Sequence, residues 1–487
     1  MVSSQKKVPR KSQSVLEVMP HIFRPASVAV IGASRDNKKE SAGGWVGRLI
    51  NFGYKGKIYP INPQASEIMG LKAYPSVKDV PGPIDYTIIN VPRHMVPQML
   101  QEVVDKKVKA VHIYTAGFAE AGDEEGKILQ KEIEGIISGS QTRLIGPNCV
   151  GVYSPAGGLT FSLDVAKEAG EVSFITQTGT GGRRLVYLAN TRGLRFSKVV
   201  SFGNAVDLSG EDFLEYFISD PDTKVILMYI EGLKSGQRFF KLVREAVKVK
   251  PVIILAAGLT EGGAGAAASH TAALAGSERV WQAFFKQTGA MQVESFEEAI
   301  DQLVAALKMP PIKGTRVGLI GRGGGLGVVT TDMCERAGLK VPQFTPEVRA
   351  KLTEITPATA GSSVRNPVEI GIGRTGISEH YAPGIILVAS DPQVDFIIAF
   401  HNPEMYVFEF KVKDWVDGLS KETIAVAKTL SKPLAVAFLP GSDPDVFKDI
   451  QEAQRQLLNG GIACFPTIEA AVRATSKLAR YYQILGS

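Results

Sequence analysis

Hydrophobic and polar positions follow two patterns that alternate along most of the chain. Short, almost wholly apolar runs, such as Ser27–Ile31 and Tyr86–Val91, are followed by longer stretches in which apolar residues recur at helical spacing, such as Val96–Lys106. Continuous apolar runs predict strands buried on both faces, and the helical period predicts amphipathic helices that cover them. The alternation therefore predicts an α/β protein with doubly wound parallel sheets, which bind ligands at the carboxyl ends of their strands.

The predicted strands fall into three successive groups. The first group contains Ser27–Ile31, Lys57–Ile61, Tyr86–Val91, Ala110–Tyr114 and Arg143–Ile145. The second group contains Val172–Ile175, Lys198–Val200, Val225–Ile230 and Val252–Leu255. The third group contains Val317–Ile320, Phe396–Phe400, Leu434–Phe438 and a short strand near Cys464. We therefore predict a flexible N-terminal tail at residues 1–20 and three domains, at residues 21–150, 151–308 and 315–487.

The second and third groups resemble each other. An offset of 145 residues pairs Val172 with Val317 and Gly179 with Gly324, so each group begins with a strand, a glycine-rich turn and a helix. A Gly-Leu pair follows both predicted helices at the same offset. Matches at both the turn and the helix end predict two copies of one fold, which concerns architecture and not function.

Composition and charge narrow the classes of function. With 487 residues, 44% of them hydrophobic and 21% charged, the chain has the composition of a folded multidomain protein. The formal net charge of +6 suits an anionic small ligand or an acidic partner and is too small to indicate nucleic-acid binding. The three cysteines lie far apart without metal-ligand spacing, and no run of about 18 apolar residues exists. We expect a cytoplasmic protein with no metal site.

The turn after the first predicted strand contains the first candidate binding residues, Gly32, Ser34 and Arg35. Small residues before a helix predict a phosphate-binding turn, because free amides and the helix dipole favour an anion. A tight turn without a ligand is the alternative. The second strand ends at Asn62-Pro63, where a dinucleotide-binding fold carries an acidic residue, and the Gly-x-Gly-x-x-Gly fingerprint is missing. An NAD-linked dehydrogenase is therefore disfavoured.

Three further turns of the first group carry small or apolar residues after a predicted strand. They are Val91-Pro92, Ala116-Gly117-Phe118 and Asn148-Cys149. Such turns suit an extended ligand laid across the sheet, although ordinary loops have the same composition. Cys149 has no base adjacent in the sequence, so a buried structural thiol is favoured over a nucleophile.

The second group contains the candidate reactive residues. They are Thr178, Gly179 and Thr180 before a predicted helix, Glu231 after the strand Val225–Ile230, and His270 in a stretch of small residues. Hydroxyls and glycines at a helix start favour an anion, and small residues leave an imidazole free to move. A flexible linker around the histidine and a plain carboxylate at a sheet edge are the alternatives.

The motifs that contain these residues occur together, in the same order, in a known family. The motifs VAVIGASRD, GKIYPINP, YTIINVP, AGFAEAG, LIGPNCVG, TQTGTGG and AAASHTAALAG carry the likeness. On them, the chain resembles the NDP-forming acyl-CoA synthetases of the succinyl-CoA synthetase superfamily, and within that superfamily the alpha subunit of an enzyme of the ADP-forming acetate–CoA ligase type. The resemblance implies a Rossmann-like CoA-binding domain followed by two flavodoxin-like doubly wound domains.

The resemblance also implies a reaction and its residues. Acyl-CoA, phosphate and ADP are interconverted with acid, CoA and ATP through a phosphohistidine, which corresponds to His270, with Glu231 as its carboxylate partner. The first-group turn residues, including Asn148 and Cys149, become the coenzyme A pocket, and Thr178–Thr180 become a phosphate site. No ATP-grasp pattern follows residue 470. A beta subunit is therefore implied that carries ATP or ADP and Mg, in an alpha2beta2 assembly.

Two departures from the family pattern keep an alternative open. The strand before the histidine stretch ends in Ala256-Ala257-Gly258-Leu259, where the family usually has a Lys-Ala-Gly-Arg-like sequence. Ala272 replaces the usual glycine after His-Thr. Because two cationic positions are lost, the alternative is a regulatory subunit that binds CoA or acyl-CoA without turnover.

Overall fold

The computed structural model describes residues 15–34, 44–265, 277–356, 363–370, 380–412 and 414–486. The chain divides into two compact units, each of which is described by itself. One unit combines Met1–Asn190 with Arg195–Gln292, and the other combines Thr191–Leu194 with Val293–Ser487. Among the described residues, no helix combines the length and apolar character needed to cross a bilayer.

The first unit opens with a five-stranded parallel sheet. Its strands are β1 (Ser27–Ile31), β2 (Lys57–Ile61), β5 (Tyr86–Ile89), β6 (Ala110–Ile113) and β7 (Arg143–Ile145), with the small hairpin β3 (Glu67–Ile68) and β4 (Leu71–Lys72) outside the sheet. The helices around it are Val15–Phe23, Gly44–Phe52, Val96–Asp105 and Glu124–Ser138. The order β2-β1-β5-β6-β7 places β1 inside the sheet, and it is the 2-1-3-4-5 order of a doubly wound fold.

A second sheet follows in the same unit. Its strands are β8 (Gly151–Tyr153), β9 (Val172–Thr176), β10 (Phe196–Ser201), β11 (Val225–Ile230), β12 (Val252–Ala256) and β13 (Met291–Gln292). Its helices are Gly179–Thr191, Gly210–Ser219, Gly236–Val247 and Glu278–Thr288. The order β13-β12-β11-β9-β10-β8 repeats the 2-1-3-4-5 pattern for the five parallel strands, and β8 adds an antiparallel edge. The predicted α/β class is confirmed.

The two sheets of the first unit are joined by backbone pairing and a buried ion pair. Val206 N donates to Gly146 O and Leu208 N donates to Leu144 O, both at 3.0 Å. Next to these bonds, the Arg143 guanidinium contacts the Asp207 carboxylate at 2.8 and 3.1 Å. The loop after β10 therefore runs along the end of β7 and fixes one sheet to the other.

The N-terminal helix differs from the sequence prediction. The sequence predicts a flexible tail at residues 1–20, whereas residues 15–20 belong to the helix Val15–Phe23, of which Val18 and Phe23 are fully buried. Phe23 stacks on Tyr216 with ring centroids 5.7 Å apart. Burial of apolar side chains against the second domain stabilises a helix too short to persist alone. Residues 1–14 lie outside the described residues.

The second unit contains the third sheet. Its strands are β14 (Val317–Gly321), β15 (Val368–Glu369), β16 (Phe396–His401), β17 (Leu434–Phe438) and β18 (Ala463–Phe465). Its helices are Phe296–Lys308, Gly324–Arg336, Pro346–Ile355, Tyr381–Ser390, Trp415–Ala427, Pro444–Asn459 and Ile468–Gly486. The order β15-β14-β16-β17-β18 is again 2-1-3-4-5. The helix Phe296–Lys308 groups with this unit, so the compact units and the predicted boundary at residue 308 divide the chain differently. The three-domain division stays a prediction.

The predicted repeat is present in the structure. β9 and the helix Gly179–Thr191 correspond residue for residue, at the offset of 145, to β14 and the helix Gly324–Arg336. The copies diverge after the helix. In the second copy, the segment directly after the helix forms a single bridge, between Arg316 and Lys340, and β15, which comes later in the chain, takes the place beside β14 that β10 has beside β9.

Candidate functional site

The predicted CoA-binding turns lie along one edge of the first sheet. The five strands are parallel, so their carboxyl ends share this edge, and the order of the strands reverses between β1 and β5. The turns that follow the strands are Gly32–Ser34 after β1, Asn62-Pro63 after β2, Val91-Pro92 after β5, Ala116–Phe118 after β6 and Asn148-Cys149 after β7. This crevice is the usual ligand site of an open α/β sheet. Arg35 lies outside the described residues.

Gly32 lets the turn after β1 approach the backbone at the end of β5 closely. Its φ is +85°, and a Cβ atom added there would lie 2.1 Å from Asn90 O. Asn62 Nδ2 donates to Ala33 O at 2.8 Å, which ties the end of β2 to the same turn. Only glycine satisfies both the left-handed backbone and the close approach.

Replacing Gly32 with Ala is expected to weaken CoA binding at least tenfold, on the order of 1.4 kcal/mol or more, because the turn must move away from Asn90. Isothermal titration with CoA measures the change. Gly53→Ala is the matched control, since Gly53 also has a positive φ, of +99°, but has no atom within 4 Å of the added Cβ. Equal effects of the two substitutions would show that backbone strain, and not the close approach, matters.

Cys149 is buried and its surroundings do not activate it. Its side chain is 4% exposed and Sγ lies 3.7 Å from Ile113 O. Burial raises the pKa of the Cys149 thiol far above its ordinary value. The nearby His112 is also buried, and burial lowers the pKa of its imidazole to about 4 while Nε2 bonds to Cys149 O at 3.0 Å. This histidine therefore serves the backbone and is not paired with the thiol.

Native Cys149 is therefore expected to resist alkylation. With iodoacetamide at pH 8, the thiol should stay unmodified for hours, because the reactive thiolate is not populated and the group is covered. Mass spectrometry of peptides measures this, and alkylation in denaturant is the control that the reagent reaches the residue. Rapid modification of the folded chain would contradict the structural role.

Glu120 holds the turn after β6 and was not singled out from the sequence. Its Oε1 accepts hydrogen bonds from Gly117 N at 2.7 Å and Phe118 N at 3.2 Å. On the other side, Arg93 Nη1 donates to Gly117 O at 3.0 Å. The Ala116–Phe118 turn is thus fixed by two side chains of opposite charge.

The residues Thr178, Gly179 and Thr180 lie at the switch point of the second sheet, between β9 and β11. Gly179 is the first residue of the helix Gly179–Thr191. Thr176 Oγ1 donates to Thr178 O at 3.0 Å, and Gly181 N donates to Thr178 Oγ1 at 3.3 Å. The helix N-terminus carries a partial positive charge, which suits a phosphate group.

Glu231 follows β11, the strand next to β9, and its position is fixed by Gln177. Gln177 Oε1 accepts from Glu231 N at 2.5 Å and from Gly232 N at 2.9 Å, so one amide side chain joins the ends of the two strands. The Glu231 residue is 5% exposed. The Tyr229 hydroxyl donates to its carboxylate, and burial, followed by the charge of Glu231, raises the pKa of Tyr229 above its ordinary value. Sequence reasoning did not single out Gln177, although it lies in the TQTGTGG motif.

The histidine proposed as nucleophile, His270, lies outside the described residues. The chain approaches it through a helical turn at residues 261–265, where Thr260 Oγ1 accepts from Gly263 N at 3.1 Å. This turn follows β12, whose carboxyl end is on the same edge as Glu231 because Ala257 N donates to Ile230 O at 2.8 Å. Both described ends of the segment, at residues 265 and 277, belong to the first unit.

A cavity of about 510 Å³ opens beside Glu231. Its lining residues are Glu231, Gly232, Leu233, Gly236, Phe240, Val280, Trp281, Ala283, Phe284 and Gln287. Among these, the Phe284 ring contacts those of Phe240 and Trp281, and Glu231 carries the formal charge. The volume suits a small organic group. Among the described residues, no cluster of three or more His, Cys, Asp or Glu side chains could hold a metal ion.

Comparisons with known proteins agree with this arrangement. Residues 26–155 match a family described as a CoA binding domain, and residues 169–306 match the succinyl-CoA ligase like flavodoxin domain. The chain is 36% identical over 469 residues to the acetate–CoA ligase [ADP-forming] I subunit alpha of Pyrococcus furiosus, covering 94% of this chain and 97% of that one. The chain belongs to the ADP-forming acyl-CoA synthetase family.

Other members of the ADP-forming acyl-CoA synthetase family are also similar over most of the chain. The subunit alpha of acetate–CoA ligase [ADP-forming] II of Pyrococcus furiosus is 40% identical over 382 residues, covering 78% of this chain and 82% of that one. A solved structure, the dinucleotide forming acetyl-coenzyme A synthetase 1 of Ca. Korarchaeum cryptofilum in complex with phosphate and ADP, aligns with a TM-score of 0.83. It is 32% identical, with 96% of this chain and 97% of that chain covered.

Some members of the family are longer. The acetate–CoA ligase [ADP-forming] I of Archaeoglobus fulgidus is 35% identical over 473 residues, and the match spans 96% of this chain but 64% of that protein.

Proposed function

We propose that this chain is the alpha-type subunit of an ADP-forming acid–CoA ligase, which interconverts acyl-CoA, phosphate and ADP with the free acid, CoA and ATP. The observation that supports this most directly is the placement of Glu231 and the Thr178–Thr180 helix start on adjacent strand ends of a flavodoxin-like sheet. That sheet is fixed to a CoA-binding-type domain by the bonds between β7 and the loop after β10.

In the direction of ATP formation, the proposed reaction has three steps. Phosphate attacks the thioester carbonyl and the carbon–sulfur bond breaks. CoA departs as the thiolate, and an acyl phosphate is formed. The imidazole of His270 then attacks phosphorus, the acid departs, and the phosphohistidine transfers its phosphoryl group to ADP. A neutral imidazole is the required nucleophile, and Glu231 would fix its tautomer and balance the charge that develops on it.

The proposal assigns the remaining residues to binding. The turn residues of the first sheet would hold CoA, with Asn148 and Cys149 near its thiol and no covalent role for the cysteine. Thr178, Gly179 and Thr180 would hold the transferring phosphate, since phosphoryl transfer depends on positioning and charge neutralisation. ATP or ADP and Mg would bind to an ATP-grasp beta subunit, in an alpha2beta2 complex in the cytoplasm.

The cavity beside Glu231 suggests which acids fit. No Lys or Arg is among its lining residues in the described part of the chain, so a second carboxylate would have no cationic partner there. We expect monocarboxylic acids with an apolar side chain to be used at least tenfold more efficiently than succinate, measured as kcat/KM in a panel of acids with ATP and CoA. Preference for succinate would contradict this assignment of the cavity.

The function is tested by phosphate labelling. The chain is co-purified with its ATP-grasp partner and incubated with γ-labelled ATP, and we expect an acid-labile label on His270 that is discharged by the acid substrate and CoA. An active complex in which this chain carries no label would overturn the mechanism. CoA binding without a label and without turnover would instead support the regulatory subunit.

A further inference from the structure

Asn204 lies in the turn after β10 and contacts two of the turns assigned to CoA. Its backbone amide donates to Pro147 O at 3.0 Å, and its side-chain oxygen accepts from Asn148 Nδ2 at 3.3 Å. Its Nδ2 donates to Glu120 Oε2 at 2.5 Å and to Gln130 Oε1 at 3.1 Å. One side chain of the second sheet is therefore bonded to residues beyond β6 and beyond β7 of the first.

The carboxylate of Glu120 is shared between Asn204 and the backbone of the β6 turn. One oxygen accepts from Asn204, while the other accepts from Gly117 N and Phe118 N. Because a single rigid carboxylate makes all these bonds, the position of the Gly117-Phe118 backbone depends on where Asn204 holds it. Networks of this kind lose their geometry when one member is removed.

The backbone next to Asn204 is built for this contact. A Cβ atom at Gly203 would lie 2.2 Å from Pro147 O and 2.4 Å from Asn148 O, and the φ of Gly203 is +51°. The glycine lets the turn after β10 pack directly on the turn after β7. The approach brings Asn204 within bonding distance of both CoA turns.

The orientation of the Asn204 amide follows from its neighbours. Its nitrogen faces two oxygen acceptors, on Glu120 and Gln130, and its oxygen faces the Asn148 side-chain amide. The reverse orientation would place an oxygen against a carboxylate. Asp at this position would do the same, without changing the size of the side chain.

We propose that Asn204 is a positioning residue for CoA, which fixes the turns after β6 and β7 by holding Glu120 and Asn148. The inference rests on the proposed function only in taking CoA as the ligand of these turns. It adds a residue of the second domain to the determinants of CoA binding.

The test measures the dissociation constant for CoA by titration calorimetry on the full chain. Asn204→Asp is expected to weaken binding by about tenfold to a hundredfold, because a hydrogen bond to a charged group is replaced by repulsion between two carboxylates. In the complex with the beta partner, the KM for CoA should rise by the same factor. Labelling of His270 by ATP should be unchanged, since that half-reaction does not use CoA.

Rescue distinguishes positioning from general damage. In the double variant Asn204→Asp with Glu120→Gln, the introduced amide can accept from Gly117 N and donate to the introduced carboxylate. We expect it to recover CoA affinity to within about threefold of the wild type, far less than the tenfold that corresponds to 1.4 kcal/mol. A double variant as weak as the single variant would overturn the proposal.

The control is Asn51→Asp, the same chemical change at an exposed position of the first domain, which should leave the dissociation constant unchanged. If Asn204→Asp binds CoA as tightly as the wild type, the positioning role is wrong and the proposed function is untouched. If the wild-type chain does not bind CoA at all, the proposed function fails, and the role of Asn204 fails with it.

Discussion

Replacing Glu231 with Gln is expected to slow the proposed phosphorylation of His270 by about 100-fold to 10,000-fold, the range found when a group that orients or charges a catalytic imidazole is neutralised. The substitution keeps the size of the side chain. It also keeps an oxygen that can accept from the Tyr229 hydroxyl. The bonds from Gln177 go to backbone amides, so the position of residue 231 should not change. What is lost is the negative charge that the proposed mechanism uses to orient and stabilise the imidazole.

Rapid-quench labelling with γ-labelled ATP measures this effect, with CoA affinity as a second readout. The CoA dissociation constant should stay within about twofold of the wild type, because Glu231 belongs to the second sheet and the CoA turns to the first. Glu261→Gln is the matched control. It makes the same chemical change at an exposed position nearer to His270 in the sequence, and it should label at the wild-type rate. A variant at Glu231 that labels as fast as this control would remove the carboxylate from the mechanism.

The strands and their carboxyl-end turns could be predicted because their signals are local. β1, β2, β7, β11 and β17 have the predicted bounds, and the turns after β1, β6 and β9 carry the small residues on which their prediction as binding turns rests. In a parallel sheet, these ends necessarily share an edge. The residues that follow the strands therefore make most of the candidate site predictable from the sequence.

The residues that hold the site together could not be predicted in this way. Gln177 and Asn204 act through hydrogen bonds to groups 54 and 84 residues away, on other turns, and Glu120, which holds its own turn, is in turn held by Asn204. Asn and Gln in a glycine-rich turn are also common without such partners, so their type gives no signal. Such residues become visible only when strand order is known, because strand order decides which turns are neighbours.

The N-terminal helix shows a second limit. Its polar and basic surroundings in the sequence suggested a tail, and Pro20 lies inside it. The helix is stabilised by tertiary contacts, because its buried Phe23 packs on Tyr216 and Phe213, nearly 200 residues away. A nine-residue amphipathic segment gives too few periods for its hydrophobic spacing to stand out.

Strand order also explains why both candidate sites fall where they do. In the first sheet β1 has β2 on one side and β5 on the other, and in the second sheet β9 has β10 and β11. At each of these reversals the connecting helices leave in opposite directions, and a crevice opens between the turns. Gly32 and Val91 flank the first crevice, and Thr178 and Glu231 flank the second. CoA and phosphate are thus proposed for equivalent positions of two joined sheets.

The second large effect is expected on stability, when the ion pair between Arg143 and Asp207 that joins those sheets is broken. Asp207→Ala is expected to lower the free energy of unfolding of the first unit by about 3–5 kcal/mol, because it leaves the Arg143 guanidinium buried without its partner. The side chains are 11% and 3% exposed for Arg143 and Asp207, and Asp207 also accepts from Leu144 N at 2.9 Å. Differential scanning calorimetry should show the corresponding transition shifted down by roughly 5–12 °C.

Two further variants separate the buried charge from the loss of contact at this joint. Asp105→Ala removes an exposed carboxylate paired with Lys78, with side chains 44% and 50% exposed, and should leave the transition almost unshifted, because water screens exposed ion pairs. Replacing both partners, Arg143→Met with Asp207→Leu, should be less destabilising than Asp207→Ala alone, because no unpaired charge remains buried. If the double variant is less stable than Asp207→Ala, the joint depends on the ion pair itself. If the double variant is more stable than Asp207→Ala, the backbone hydrogen bonds that Val206 and Leu208 donate to β7 and the turn after it are sufficient to hold the two sheets together.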